Sequence, residues 1–198
     1  MFNIFNSMAE IMFFQSLTLA VFFILLAYGG ARWIGKKSTL PLPWKINGKT
    51  IFEGVTLGLK VFLLVLLLGA LTSLLFPVAP HLIENIFKDF VFRPYQIVLI
   101  ALAIVVIAPV AEEIFFRGFL LPTLQIRWGT RWALHLTSFF FALLHLDPLR
   151  FLPLYGASYL IGRAALQQGS LMVAVLAHGV WNFSSLTLMW WLMKGGAF

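Results

Sequence analysis

The chain contains no cysteine. That removes disulfides, thiolate catalysis and cysteine-based metal sites. Charge is scarce as well. Only 11% of residues are Asp, Glu, Lys or Arg, against roughly 25% in a soluble domain. Acids are scarcer than bases, 7 against 14, for a net charge of +7. In so apolar a chain this excess reports topology and anionic headgroups before nucleic acid, and no nucleic-acid partner is expected. Met1 to Glu10 carries no basic cluster, so the first apolar segment reads as a retained span and not as a cleaved signal. No stretch shows the alternation of an outer-membrane barrel.

What is abundant is hydrophobic side chain. The hydrophobic share is 61% and the mean hydropathy +0.95, where a soluble domain has roughly 45–50% apolar residues. The expected fold is all-α: a polytopic transmembrane helical bundle of about six spans, one domain overall, with an intramembrane polar site.

Residues 1–94 read as N-terminal transmembrane spans with a basic cytoplasmic loop. The first span covers 11–31. The loop after it carries Arg32, Lys36, Lys37, Lys45 and Lys49 and no acid, which assigns it to the cytoplasm. The second span runs over 51–76. Its Gly54 and Gly58 have the spacing of closely packed helices, and chance in a glycine-containing run is an equal reading. Lys60 reads as a snorkelling or paired side chain. Residues 81–94 mix charges with Phe and Ile, as in a short amphipathic segment on the opposite membrane face. Residues 95–193 form the motif-bearing helical core, with helices at 95–125, 132–146, 150–167 and 170–193. The turn with Arg127, Gly129 and Arg131 is again basic and again cytoplasmic. Six spans place both termini on the other side.

The charged stretch of this core is Ala-Glu-Glu-Ile-Phe-Phe-Arg, 111–117. An ionisable group in hydrocarbon costs roughly 2.5–3.5 kcal/mol or more, so three within six residues need a reason. Glu113 and Arg117 are i,i+4 neighbours and can neutralise each other. Glu112 sits about 140° further round from Arg117 at 3.6 residues per turn. One paired and one free carboxylate in a dry place is how a general base is built. Pro109, one turn earlier, is placed to kink the helix and free a carbonyl.

Few other polar residues lie deep. His145 ends the fourth helix, one turn after Phe141. His178 and Asn182 share a face of the sixth. Glu112 lies 16 or 17 residues before a turn at 128–129 and His145 as far after it, which puts them at one level of an antiparallel hairpin. His178 fits less well: it lies about 13 Å from its own turn and Glu112 about 25 Å from the other, at 1.5 Å per residue. The depths agree only if the third helix is tilted, kinked at Pro109 or continued beyond the interface.

Two chemistries suit the set. Glu112 with His145 can bind and deprotonate a water while His178 and Asn182 stabilise an oxyanion. Alternatively Glu112, His145 and His178 are an accepted zinc set. Against these stand structural readings. Glu113 with Arg117 reads as an ion pair, His135 as an interfacial side chain, and Phe139, Phe140 and Phe141 as packing.

The pattern Glu112-Glu113-x-x-x-Arg117, Phe141-x-x-x-His145 and His178-x-x-x-Asn182 resembles the three-motif signature of the CAAX-protease and bacteriocin-processing family. That family includes the type II CAAX prenyl endopeptidases. The resemblance covers roughly residues 95–190. It implies an integral-membrane endopeptidase in which Glu112 and His145 activate water, His178 and Asn182 form the oxyanion site, and Glu113 and Arg117 support the first motif. It implies a peptide or protein substrate at the lipid bilayer, prenylated or like a bacteriocin or signal peptide, and a bacterial cell-membrane location. A glutamate-dependent reaction without a metal cofactor is the favoured form, since asparagine is a poor zinc ligand and a good oxyanion donor. The competing class is a non-enzymatic immunity or scaffold protein that binds a peptide in the same cavity.

Overall fold

The computed structural model describes residues 8–34, 42–76 and 93–194. Residues 81–92 of the expected amphipathic segment and 35–41 of the first basic loop lie outside them. The described residues are helical, with no strand among them. The helices are α1 (Met8–Ile34), α2 (Gly48–Leu75), α3 (Pro94–Ala101), α4 (Ala108–Glu113), α5 (Leu121–Leu144), α6 (Phe151–Gln168) and α7 (Leu171–Lys194). Two wide π-helical turns, Leu102–Ile107 and Ile114–Leu120, join α3 to α4 and α4 to α5.

Among the described residues, four helices are long and apolar enough to cross a membrane: Ala9–Trp33, Gly48–Leu75, Pro94–Leu144 and Leu171–Leu192. The third bends back at Gly129, whose φ of 72° and ψ of 168° break the helical path within α5. That conformation is open essentially to glycine alone. The expected turn at 128–129 is therefore present. Helix α6 is shorter, 18 residues, and more polar. Gly169, at φ 57° and ψ 42°, ends it in the left-handed region.

Helix α2 starts from a capping box, in which the Thr50 amide donates to Asn47 Oδ1 and the Asn47 amide to Thr50 Oγ1, both at 2.9 Å. It then packs on α7 through Gly54 and Gly58. A Cβ on Gly54 would lie 2.7 Å from Leu176 Cβ, and one on Gly58 2.6 Å from Val180 Cβ and 2.7 Å from the Ala177 carbonyl. The glycine pair is thus a helix interface and not a chance spacing. The two helices run parallel, since the later glycine meets the later residues of α7. Lys60 is on the exposed side of α2.

The wide turns follow from proline. A proline inside an α-helix lacks its amide hydrogen and clashes with the carbonyl four residues back. Pro109 and Pro122 each sit just after a wide turn. There the pairing has slipped to five residues: Ala108 N–H reaches the Ala103 carbonyl and Leu121 N–H the Phe116 carbonyl. The slip makes room for the ring. It also places Glu112 and Glu113 on a short α-helical step between two π-turns, a device common at functional sites.

The depth discrepancy is resolved by the level at which α7 begins. A Cβ on Gly118 would lie 3.9 Å from Leu171 Cδ2. Leu171, the first residue of α7, is therefore level with Gly118, and the preceding helix runs on from there to Gly129. Continuation of the helix past the start of α7 is one of the three expected explanations. The Leu171 amide also donates to the Pro43 carbonyl at 3.1 Å, and Ser170 Oγ to the Lys45 carbonyl at 3.2 Å. These bonds fasten the start of α7 to the loop before α2.

Candidate active site

Arg117 anchors the cluster. Its side chain is fully buried, so its five N–H groups need acceptors inside the protein. Nη1 donates to Glu113 Oε1 at 3.0 Å, an ion pair with both side chains at 0% exposure. Nη2 donates to the Ser158 carbonyl at 2.8 Å and to Ser158 Oγ at 2.9 Å. The guanidinium carbon lies 5.3 Å from the centre of the Phe141 ring, within cation–π range. The expected i,i+4 pair is present, and Glu112 does not share it.

Glu113 also holds His178. Its Oε1 accepts from His178 Nδ1 at 2.8 Å. That bond fixes the hydrogen on Nδ1 and turns Nε2 toward Glu112 Oε2, 3.9 Å away. Glu112 Oε2 is buried with no hydrogen-bond partner among the described residues. Glu112 is thus the carboxylate left without a cation of its own.

His145 caps the C-terminus of α5. Its Nδ1 donates to the Phe141 carbonyl at 2.7 Å, which leaves Nε2 free to accept. The Phe141 ring lies 4.8 Å from the His145 ring and 5.7 Å from the His178 ring. Both histidines are within electrostatic range of Glu112. Phe141 is consequently more than packing: it touches Arg117 and both histidines. Phe139 and Phe140 remain partly exposed.

Asn182 lies one turn beyond His178, and its Nδ2 donates to the Ile104 carbonyl at 2.9 Å. One amide hydrogen is therefore used within the protein. His135 lies apart: its Nδ1 pairs with the Tyr155 hydroxyl at 2.5 Å, among Tyr159 and Trp132.

The structure thus brings Glu112, Glu113, Arg117 and His178 into direct proximity, joins His145 through Phe141, and sets Asn182 on the wide turn before Glu112. Among the described residues, no three His, Asp or Glu side chains gather to hold a metal ion. His178 Nδ1 is turned to Glu113. Ser158 was missed from sequence. The available signal was the single serine of α6, set against a buried guanidinium with more donors than one carboxylate can accept.

Comparison with known proteins bears on this cluster. Residues 94–184 match the family model described as "Type II CAAX prenyl endopeptidase Rce1-like". No curated protein and no solved structure is similar enough to the chain to match. The matched stretch spans α3 to α7 and contains all three motifs. Residues 94–184 are thus similar to the Rce1-like type II CAAX prenyl endopeptidase family, and the long apolar helices mark the chain as an integral membrane protein.

Proposed function

We propose that the chain is an intramembrane endopeptidase that hydrolyses a peptide bond of a membrane-associated substrate with a water activated by Glu112 and His145. The observation that carries this reading is Glu112 Oε2, buried, without a partner and 3.9 Å from His178 Nε2. A carboxylate so placed has no partner competing with a water for its oxygen. Glu112 takes a proton from the water, whose oxygen attacks the scissile carbonyl carbon. His145, tied at Nδ1 to Phe141, offers Nε2 to orient the same water. The oxyanion formed is met by the second amide hydrogen of Asn182 and by His178 in its doubly protonated form, whose Nδ1–H stays on Glu113 while its Nε2–H donates to the oxyanion. Collapse expels the amine, which takes its proton from Glu112.

Glu113 and Arg117 support this arrangement without touching substrate. Glutamate-driven water activation is preferred to zinc, and unchanged cleavage in a chelator is the expected result. The break at Gly129 and the length of α6 are compatible with six spans, both basic loops on the cytoplasmic side. The substrate is a prenylated or a bacteriocin- or signal-peptide-like chain, and the location a bacterial cell membrane.

The test compares cells expressing the wild type with cells expressing Glu112→Gln at equal membrane levels. Mass spectrometry of protein N- and C-termini reads the outcome. Termini that appear only with the wild type support proteolysis and identify the substrate. Identical termini, with purified wild type also inactive on membrane peptides, favour a non-enzymatic peptide-binding role.

A further inference from the structure

Pro109 has no part in the chemistry above, yet it is buried in the same helix as Glu112 and one turn before it. In the wide turn Leu102–Ile107 the pairing runs five residues back, as Ala108 N–H to the Ala103 carbonyl shows. The next rung of that pattern is residue 109 to the Ile104 carbonyl. Proline has no hydrogen to give there. A carbonyl left without a donor away from water is costly, and this partly buried one is met from another helix, by Asn182 Nδ2 at 2.9 Å. The adjacent carbonyl, Val105, is four residues before Pro109 and is the one its ring would strike in a regular helix. It too faces α7: a Cβ on Gly179 would come within 2.9 Å of that oxygen. Two successive carbonyls displaced by one proline are therefore received by two residues of α7, an amide and a glycine. These residues follow His178 by one and by four positions, on the helix that carries it to Glu112.

We propose that Pro109 is a positioning residue for the reaction: by withholding its backbone donor it hands the Ile104 carbonyl to Asn182, and this clamp, with Gly179 closing on Val105, sets the register in which His178 meets Glu112. The proposal rests on the protease reading for its catalytic consequence, but its geometry stands on the helices alone. It gives Asn182 a second task, with one amide hydrogen holding the clamp and the other left for substrate. It also explains why the helix carries a proline where alanine would make a more regular helix.

Two measurements test it on the full-length protein in detergent or reconstituted bilayers. The first is a thermal double-mutant cycle of Pro109→Ala and Asn182→Ala, which needs no activity. In the wild-type background Asn182→Ala orphans the Ile104 carbonyl and lowers the unfolding midpoint. In the Pro109→Ala background the new amide supplies a donor, so the drop shrinks to about half or less. Equal drops in both backgrounds overturn the clamp. If Asn182→Ala does not fold, Asn182→Ser takes its place in the cycle.

The second measurement is turnover. Pro109→Ala is expected to keep or raise the unfolding midpoint while lowering kcat by about tenfold or more, with KM changing less, as a misplaced reacting group does. A merely structural proline would lose stability and activity together. Full kcat in Pro109→Ala overturns the positioning role, even where the wild type proves to be a protease. A wild type without cleavage defeats the protease reading and the catalytic consequence, and the thermal cycle still decides the clamp.

Discussion

Glu113 Oε1 lies 2.8 Å from His178 Nδ1 and 3.0 Å from Arg117 Nη1, so one carboxylate oxygen serves a histidine of α7 and an arginine of its own helix. Glu113 is thereby spent on positioning. Each glutamate keeps an unpartnered Oε2, but among the described residues Glu112 has no arginine partner and no hydrogen bond to a histidine. Two adjacent glutamates, one rotated toward a cation and one away, thus take different tasks without any difference in residue type.

Arg117 is the group whose loss should harm the fold most. Arg117→Met leaves Glu113 buried without its cation, and breaking a buried pair from one side costs about 3–5 kcal/mol. Ser158→Ala removes only the hydroxyl acceptor and keeps the carbonyl one, so a loss of about 1–2 kcal/mol is expected. Thermal unfolding of the purified variants in one detergent should rank Arg117→Met well below Ser158→Ala. The reverse order would mean that the guanidinium is not the anchor.

The histidines separate chemistry from packing. On the proposed reaction, His145→Ala should lower kcat by about 10²–10⁴, and His178→Ala by about 10²–10³. His135→Phe, which breaks only the bond to Tyr155, should leave turnover unchanged and cost about 1 kcal/mol of stability. Kinetics on a substrate found by terminus mapping would check all three. Full turnover in both His145→Ala and His178→Ala would sink the proposed mechanism.

Close approach of α2 and α7 should tolerate no side chain at Gly58. Gly58→Leu drives a branched chain into Val180 and the Ala177 carbonyl, already 2.6 and 2.7 Å from a bare Cβ, and should separate the helices or abolish folding. A Cβ on Gly69 of the same helix meets nothing within 4 Å. Gly69→Ala should stabilise by about 0.5–1 kcal/mol. Expression level and unfolding midpoint of the two variants give the comparison, and equal effects would count against a glycine-dependent interface.

At Gly129 the backbone itself is the constraint. A Cβ there meets no atom within 4 Å, yet φ is +72°. Gly129→Ala should therefore cost about 1–3 kcal/mol through strain alone. A midpoint equal to wild type would show that the bend does not need the glycine conformation.

The sequence by itself determined the helical class, because 61% hydrophobic residues with few charges leave no other way to satisfy the backbone in lipid. It determined the Glu113–Arg117 pair, since a four-residue step keeps two side chains near one face in an α-helix and also in the wider turn that the chain adopts there. It also placed the turns at Gly129 and Gly169, where a residue without Cβ ends a hydrophobic run. Other relationships depended on tertiary structure. The 3.6-residue geometry used for Glu112 does not hold through Ile114–Leu120, where the helix widens. Phe141 looked like one of three packing aromatics until α5 set it against Arg117 and both histidines. Ser158 lies 41 residues from Arg117, and no local period links them. The meeting of His178 with Glu112 depended on where α7 begins relative to Gly118. That level is set by packing between helices, through glycine contacts and displaced carbonyls, and a single-helix count has no access to it.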